Sequence, residues 1–351
     1  MSLKSSKDFP ENFGYLNARL RARFTDFLVK EDYRRLASRH LEDIEIFLLE
    51  TRYGRSFRRS LVEQPLSTHR RIEMALAETS ADILNHARKM AMGEPEELIG
   101  VILSRADLQN GRLLVRYFFI GIHYEMQPRW HAYGTLPVKF LAQLWTSRSI
   151  AHGIDRCLAF DHPLSKALAR ALDQVAKGSS LPACERVLLS EMLGYQEEVL
   201  GRYRTKDAAL VRELLARTVD VWNLNIWSRV FAGVLQKEKA AEFYLEGGFS
   251  LPIEKLLRSS EPAELLASTP WEKALERSQG GGSLVIAPGG VMGELWRWQI
   301  SQRRKDPLGI EVALAFIAHQ LVEWQNLDSL VVGVSMGFEG DAILNKLILA
   351  G

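Results

Sequence analysis

A chain of 351 residues is too long for most single hydrophobic cores, and 47% hydrophobic with 25% charged residues excludes global disorder, so a folded, soluble protein of more than one domain is expected. Lys and Arg number 45 against 43 Asp and Glu; the net charge of +2 lacks the concentrated basic footprint of a nucleic-acid binder. Cys157 and Cys184 fit no CxxC or Cys/His zinc spacing, so reduced thiols are the simplest reading, a lone disulfide being the alternative.

The first residues, MSLKSSKDFPENFGYL, carry no apolar core of a secretory signal. From Tyr15 to Leu49, Leu16, Leu20, Phe24, Phe27 and Leu28 trace one helical stripe, and Ile44, Phe47 and Leu48 begin another. Ile72 to Met92 repeats the pattern with Ala75, Ala77, Ala81 and Ala87. Leu113 to Tyr124 is aromatic and β-branched enough to pass for a strand, but its helical neighbours favour helix. Pro137, Pro163 and Pro182 stand at helix starts, where a missing N–H costs least, and predict long helices over 164–177, 183–203 and 207–235. Gly247 and Gly248 break the chain before a pair of short helices between Ile253 and Ser278. The glycine-rich stretch from Ser278 to Gly293 is the longest uncharged one; broken by Pro288, it falls short of a membrane span, so any membrane contact is expected through partners. Helix returns from Glu294 to Lys305, from Gly309 to Val334 and around Asp341 to Leu349.

Internal repetition is the most informative pattern, because self-similarity at long spacing implies stacked copies of one unit. Val219-Asp220-Val221-Trp222-Asn223-Leu224 matches Val322-Glu323-Trp324-Gln325-Asn326-Leu327, with acid, Asn and Leu in one register. Separately, the run 48–53 (LLETRY) matches 265–271 (LLASTPW), a Thr preceding an aromatic residue in both. A weaker third copy of the long-helix unit starts at Leu114-Val115-Arg116, echoing Leu210-Val211-Arg212, with Gly121 where the acid is expected.

Chemistry-bearing motifs are sparse. The glycine-rich loop lacks the Lys-Ser/Thr of a phosphate-binding loop, the eight histidines form no HExxH, and no GxSxG elbow occurs. Cys157, Asp161 and His162 place a thiol, an acid and an imidazole together, but Asp161 before Pro163 reads better as a helix cap. Asp220 and Asn223, one turn apart, read as an interhelical hydrogen-bond pair that fixes bundle closure, with Glu323 and Asn326 as its second copy. Arg19 and Arg23 flank the first apolar stripe; they either lay their stems on it with an Arg23–Asp26 pair, or hold two helical units together. No catalytic residue, metal or cofactor is expected.

Several blocks resemble the C subunit of V/A-type ATPases, whose counterpart in the eukaryotic vacuolar enzyme is the d subunit. They are Tyr15-x3-Arg19-x-Arg21-x-Arg23 followed by LLETRYG (48–54), the helix 179–200, the run 214–229 ending in Arg229, the Gly-Gly turn and short helices of 243–271, and the segment 321–333. Leu189-Ser190 replaces a common Leu-Asp, and the 278–293 loop looks inserted. The resemblance implies an all-α fold of three similar helical bundles in a funnel with pseudo-threefold symmetry, divided here at 1–112, 113–208 and 209–351. It implies a non-catalytic rotor subunit that couples the central stalk, made of the D and F subunits, to the membrane ring of proteolipid subunits, with the membrane stator subunit as a further neighbour. Tyr15, Arg19, Arg23, Asp220, Asn223, Arg229, Glu323 and Asn326 are its structural or subunit-interface candidates, in a cytoplasmic protein peripheral to the membrane. A helical scaffold unrelated to ATPases is the competing expectation.

Overall fold

The computed structural model describes residues 13–63, 66–121, 128–278 and 290–349, so most of the glycine-rich loop lies outside the described residues. Among the described residues every regular element is a helix, and no helix is long and apolar enough to cross a membrane. The aromatic segment after Leu113 belongs to the helix Arg105–Ile120, which Gly121 closes in the left-handed conformation at φ 70°. Helix starts follow local chemistry: Pro163 and Pro182 occupy the first turn, and the side chains of Ser67, Ser149 and Thr205 accept from backbone N–H groups three residues on. At 163 the cap is His162, whose Nδ1 accepts from Leu164 N at 3.2 Å; Asp161, expected there, instead pairs with Lys166 in solvent. The first apolar stripe is helical only through Phe24. The chain passes through a short 3₁₀ turn, Arg23–Asp26, and extends at Phe27, which with Phe24 packs on Phe316 at ring-centroid distances of 5.3 and 5.5 Å.

Three helices organise the rest: Arg105–Ile120, Lys206–Phe231 and Glu311–Ser335. We call them carriers, because each bears one acid–asparagine pair. After the first come helices Val138–Trp145, Ile150–Ala159, Pro163–Ala176 and Leu181–Leu200, and the last of these packs back on its carrier. After the second come Ile253–Arg258, Pro262–Leu266, Glu272–Ser278 and Val291–Ser301, beyond one extra turn at Lys237–Ala241; again the last returns to the carrier. The third carrier stands near the C-terminus; besides the neighbouring Val291–Ser301 helix, it packs on elements from the other end of the chain, including Lys30–Ala37, Leu41–Leu49 and Thr68–Lys89. Every residue from Val312 to Ala318 is buried, as expected of a helix that is apolar on all sides. The sequence-derived divisions at 112/113 and 208/209 fall inside the first and second carriers.

Candidate functional site

Each carrier presents an acid and, three residues later, an asparagine: Asp107 and Asn110, Asp220 and Asn223, Glu323 and Asn326. None of the six is more than 3% exposed, so each polar atom needs a partner inside the protein. The asparagines find theirs in the same way. Asn110 donates from Nδ2 to His131 O at 3.0 Å and accepts at Oδ1 from His131 N at 2.9 Å. Asn223 treats Leu245 identically, at 2.9 Å in both directions, and Asn326 treats Ile348 so at 3.0 and 2.8 Å. A carboxamide offers one donor and one acceptor on a single plane, which matches the N–H and C=O of one residue and fixes the loop that leaves the carrier.

The acids hold the next stretch of backbone. Asp107 accepts from Thr135 N and Oγ1, both at 2.8 Å, and from Leu136 N at 2.9 Å. Asp220 accepts from Ser250 N and Oγ at 3.0 and 2.8 Å, and from the indole of Trp271 at 2.9 Å. The two segments read alike, Gly134-Thr135-Leu136-Pro137 and Gly248-Phe249-Ser250-Leu251-Pro252, and both glycines are obligatory. A Cβ on Gly134 would lie 2.3 Å from Asp107 Oδ1, and one on Gly248 2.4 Å from Asp220 Oδ1. Glu323 reaches across the chain: it accepts from Leu28 N at 2.6 Å and from the Tyr53 hydroxyl at 2.7 Å, and it pairs with Arg52. The LLETRY and LLASTPW match has the same geometric meaning in both copies. Thr51 and Thr269 each donate Oγ1 to a carbonyl three residues back at 2.7 Å, and the aromatic residue that follows, Tyr53 or Trp271, donates to the carrier's acid.

The structure thus corrects two expectations. The acid–asparagine pairs clamp loop backbone instead of bridging helix to helix, and the first copy is intact at Asp107 and Asn110. The Leu-Val-Arg echo at 114–116 is out of register, so Gly121 never occupied the acid's position. The signal that locates this copy is present in the sequence: Asp-x-x-Asn followed by Thr-Leu-Pro, against Asp-x-x-Asn followed by Ser-Leu-Pro. Of the partners of Glu323, Tyr53 is the aromatic residue of the LLETRY match, whereas Arg52 is not singled out by spacing. The remaining candidates do not join the clamps. Tyr15 is exposed, as are Arg19 and Arg229. Arg23 is half-buried in a groove with Asp26, Arg52, Arg55 and Asp82, and its ion pair with Asp26 is not formed.

Burial pushes the carboxyls of Asp107 and Asp220 above the ordinary value of 3.8, although their hydrogen-bond donors pull the other way. A raised folded-state pKa means that the folded protein binds the proton more tightly than the unfolded chain does. Its stabilising effect is therefore complete below about 3.8 and is lost as pH rises through the folded value. Acidifying from neutral pH toward that window should narrow, or reverse, any stability advantage of Asp220→Asn over the parent. Urea midpoints at matched pH values measure this, and a pH-independent difference would contradict it.

Cys157, Asp161 and His162 do not converge. Both cysteines are free and buried; burial pushes the Cys157 thiol up to about 12, His162 is used as a cap, and Asp161 points to solvent. Native protein should accordingly resist alkylation at Cys157 at neutral pH and react only after unfolding, as mass spectrometry after iodoacetamide would record. Among the described residues no group of His, Cys, Asp and Glu is arranged to hold a metal ion.

Among the described residues every regular element is a helix, and the three carriers' acids are all engaged by groups of the chain itself. Over residues 16–346 it matches the model of the ATP synthase (C/AC39) subunit family, and it belongs to that family. Among its relatives, the C subunit of the A-type ATP synthase of Methanosarcina mazei is 24% identical across 96% of this chain and 93% of its own length. The C subunit of the V-type ATP synthase of Thermus thermophilus is 27% identical across 90% and 91%, and that of the A-type enzyme of Methanococcoides burtonii 23% across 99% and 97%.

Proposed function

We propose that this chain is the rotor part that couples the central stalk of a V/A-type ATP synthase, its D and F subunits, to the membrane ring of proteolipid subunits, on the cytoplasmic face and near the membrane stator subunit. The observation that carries the reading is the threefold recurrence of the acid–asparagine clamp, the first two copies each followed by a similar order of helices. A part that transmits torque must not creep, and satisfied buried polar groups select one packing over its neighbours. We divide it into three bundles that begin at the carriers: 105–200, 206–301, and a third made from 311–349 together with 13–103. Such a cyclic arrangement suits a pseudo-threefold funnel, because joining the two chain ends in one bundle leaves no open seam. Tyr15, Arg19, Arg23 and Arg229, which the clamps do not use, are available for contacts with neighbouring subunits. Charged groups of that kind set register and association rate more than affinity.

Mixing the purified chain with a D–F stalk complex and with detergent-solubilised ring, followed by size-exclusion chromatography, tests the proposal. Co-elution with both is expected. Failure with both would favour the unrelated helical scaffold.

A further inference from the structure

Beside the first and third carriers lies a cavity of about 370 Å³, lined by Arg105 and Gln109 from the first, Met292 and Trp296 from the Val291–Ser301 helix, and Leu321 and Trp324 from the third, among others. Its walls have more donors than acceptors. The Nε of Arg105 and the indole N–H groups of Trp296 and Trp324 are buried with no hydrogen-bond partner among the described residues. Of the acceptors in the wall, Asp328 takes both forks of Arg129, at 3.2 and 2.6 Å, and Gln109 Oε1 accepts from Tyr133; Gln325 and Ser329, which also line the cavity, carry no charge. Arg105 makes no ion pair among the described residues; its guanidinium lies 4.1 Å from the centroid of Trp296. Trp296 and Trp324 are 3% and 4% exposed, so their indoles are withdrawn from bulk water.

Arg105 is half-buried, its Nε fully so; a guanidinium cannot neutralise itself by losing a proton, and each unmade buried hydrogen bond costs about 1–3 kcal/mol, so among the described residues this arrangement lacks a free acceptor that carries charge. We propose that the cavity is a binding site for a small organic carboxylate, with its anionic end on Arg105 and its body against Leu321, Met292 and the indoles. One unpaired cation matches one negative charge, a planar fork matches a planar carboxylate, and the volume lies in the range of small-ligand sites. His131 adds a reporter. Burial and the cations Arg129 and Arg105 hold its imidazole down at about 4, so an anion bound beside Arg105 should move it upward.

The test is isothermal titration of the full chain with sodium benzoate, and with inorganic phosphate at matched ionic strength. Saturable one-to-one binding of benzoate is expected, roughly 10- to 100-fold weaker in Arg105→Gln, with Arg105→Lys between them because an ammonium cannot fork. Benzoate should also raise the His131 pKa read by NMR in the parent and not in Arg105→Gln. Without ligand, Arg105→Met should melt at or above the parent temperature, because it removes an unpaired, half-buried cation. Absence of binding at roughly tens of millimolar benzoate, equal affinity in Arg105→Gln, or phosphate binding as well as benzoate would each overturn the proposal. So would a lower melting temperature of Arg105→Met with no benzoate effect on the parent, which would make Arg105 a cover for Trp296 alone.

Discussion

Glu323→Ala is expected to be the most damaging single substitution at the clamps, lowering stability by about 3–5 kcal/mol. Glu323 is 3% exposed and its partner Arg52 is 14% exposed, so removing the carboxylate leaves a largely desolvated guanidinium without a counter-charge. The Tyr53 hydroxyl and Leu28 N–H lose their acceptor as well. Arg52 would keep only its stacking on Phe27, 4.3 Å from the ring centroid, and on Tyr53. Tyr53 and Leu28 donate to different oxygens of Glu323, so Glu323→Gln keeps an acceptor for only one of them while losing the charge pairing, and should fall between the parent and Glu323→Ala. Chemical unfolding followed by circular dichroism measures the series, and the double variant with Arg52→Ala should be less unstable than the sum of the singles. A Glu323→Ala protein that unfolds at the parent's denaturant concentration would show that the clamp does not hold the chain ends together. Because Leu28 and Glu323 are 295 residues apart, the loss should also show as faster proteolysis near the N-terminal helices.

Asn223→Ala should cost about 2–4 kcal/mol, because both the N–H and the C=O of Leu245 are buried and lose their partner at once. Asn223→Asp tests the geometry more sharply. It keeps the shape but turns the donor into a second acceptor facing the Leu245 carbonyl, so it should be as damaging at neutral pH and partly recover in acid, where protonation restores a donor. Asn225, two positions on and half-buried, is the control: its replacement by Ala should change stability by less than about 0.5 kcal/mol. Equal effects at 223 and 225 would mean that the loss reflects helix propensity and not the clamp. The same contrast at Asn110 and Asn326, with His131 and Ile348 as the held residues, shows whether the three sites are energetically alike.

Several features were legible because their causes are local. Helix periods and the prolines of the first turns depend on residues a few positions apart, and so does the Thr-then-aromatic turn at Thr51 and Thr269. The acid–asparagine register at Asp220/Asn223 and Glu323/Asn326 was equally visible, since a three-residue spacing on a helix needs no tertiary knowledge. The pair at Asp107/Asn110 was readable too, but the stronger apolar echo at Leu114-Val115-Arg116 drew the alignment out of register. Apolar runs recur in any amphipathic helix and carry less positional information than a buried polar pair.

By itself, then, the sequence determined the all-helical class, the family, and two of the three clamps, because periodicity, capping and spacing are written in neighbouring residues. Only the tertiary structure decided what the clamps hold and how the ends of the chain meet. Which backbone N–H a buried carboxylate accepts depends on which segments packing brings beside it. For Glu323 these are Leu28, Arg52 and Tyr53, at the opposite end of the chain, and for the unpaired Arg105 they are Trp296 and Trp324 of two later helices. A buried charge is stabilised by whatever lies within about 3 Å of it in space, and no pattern along the chain encodes that neighbourhood directly.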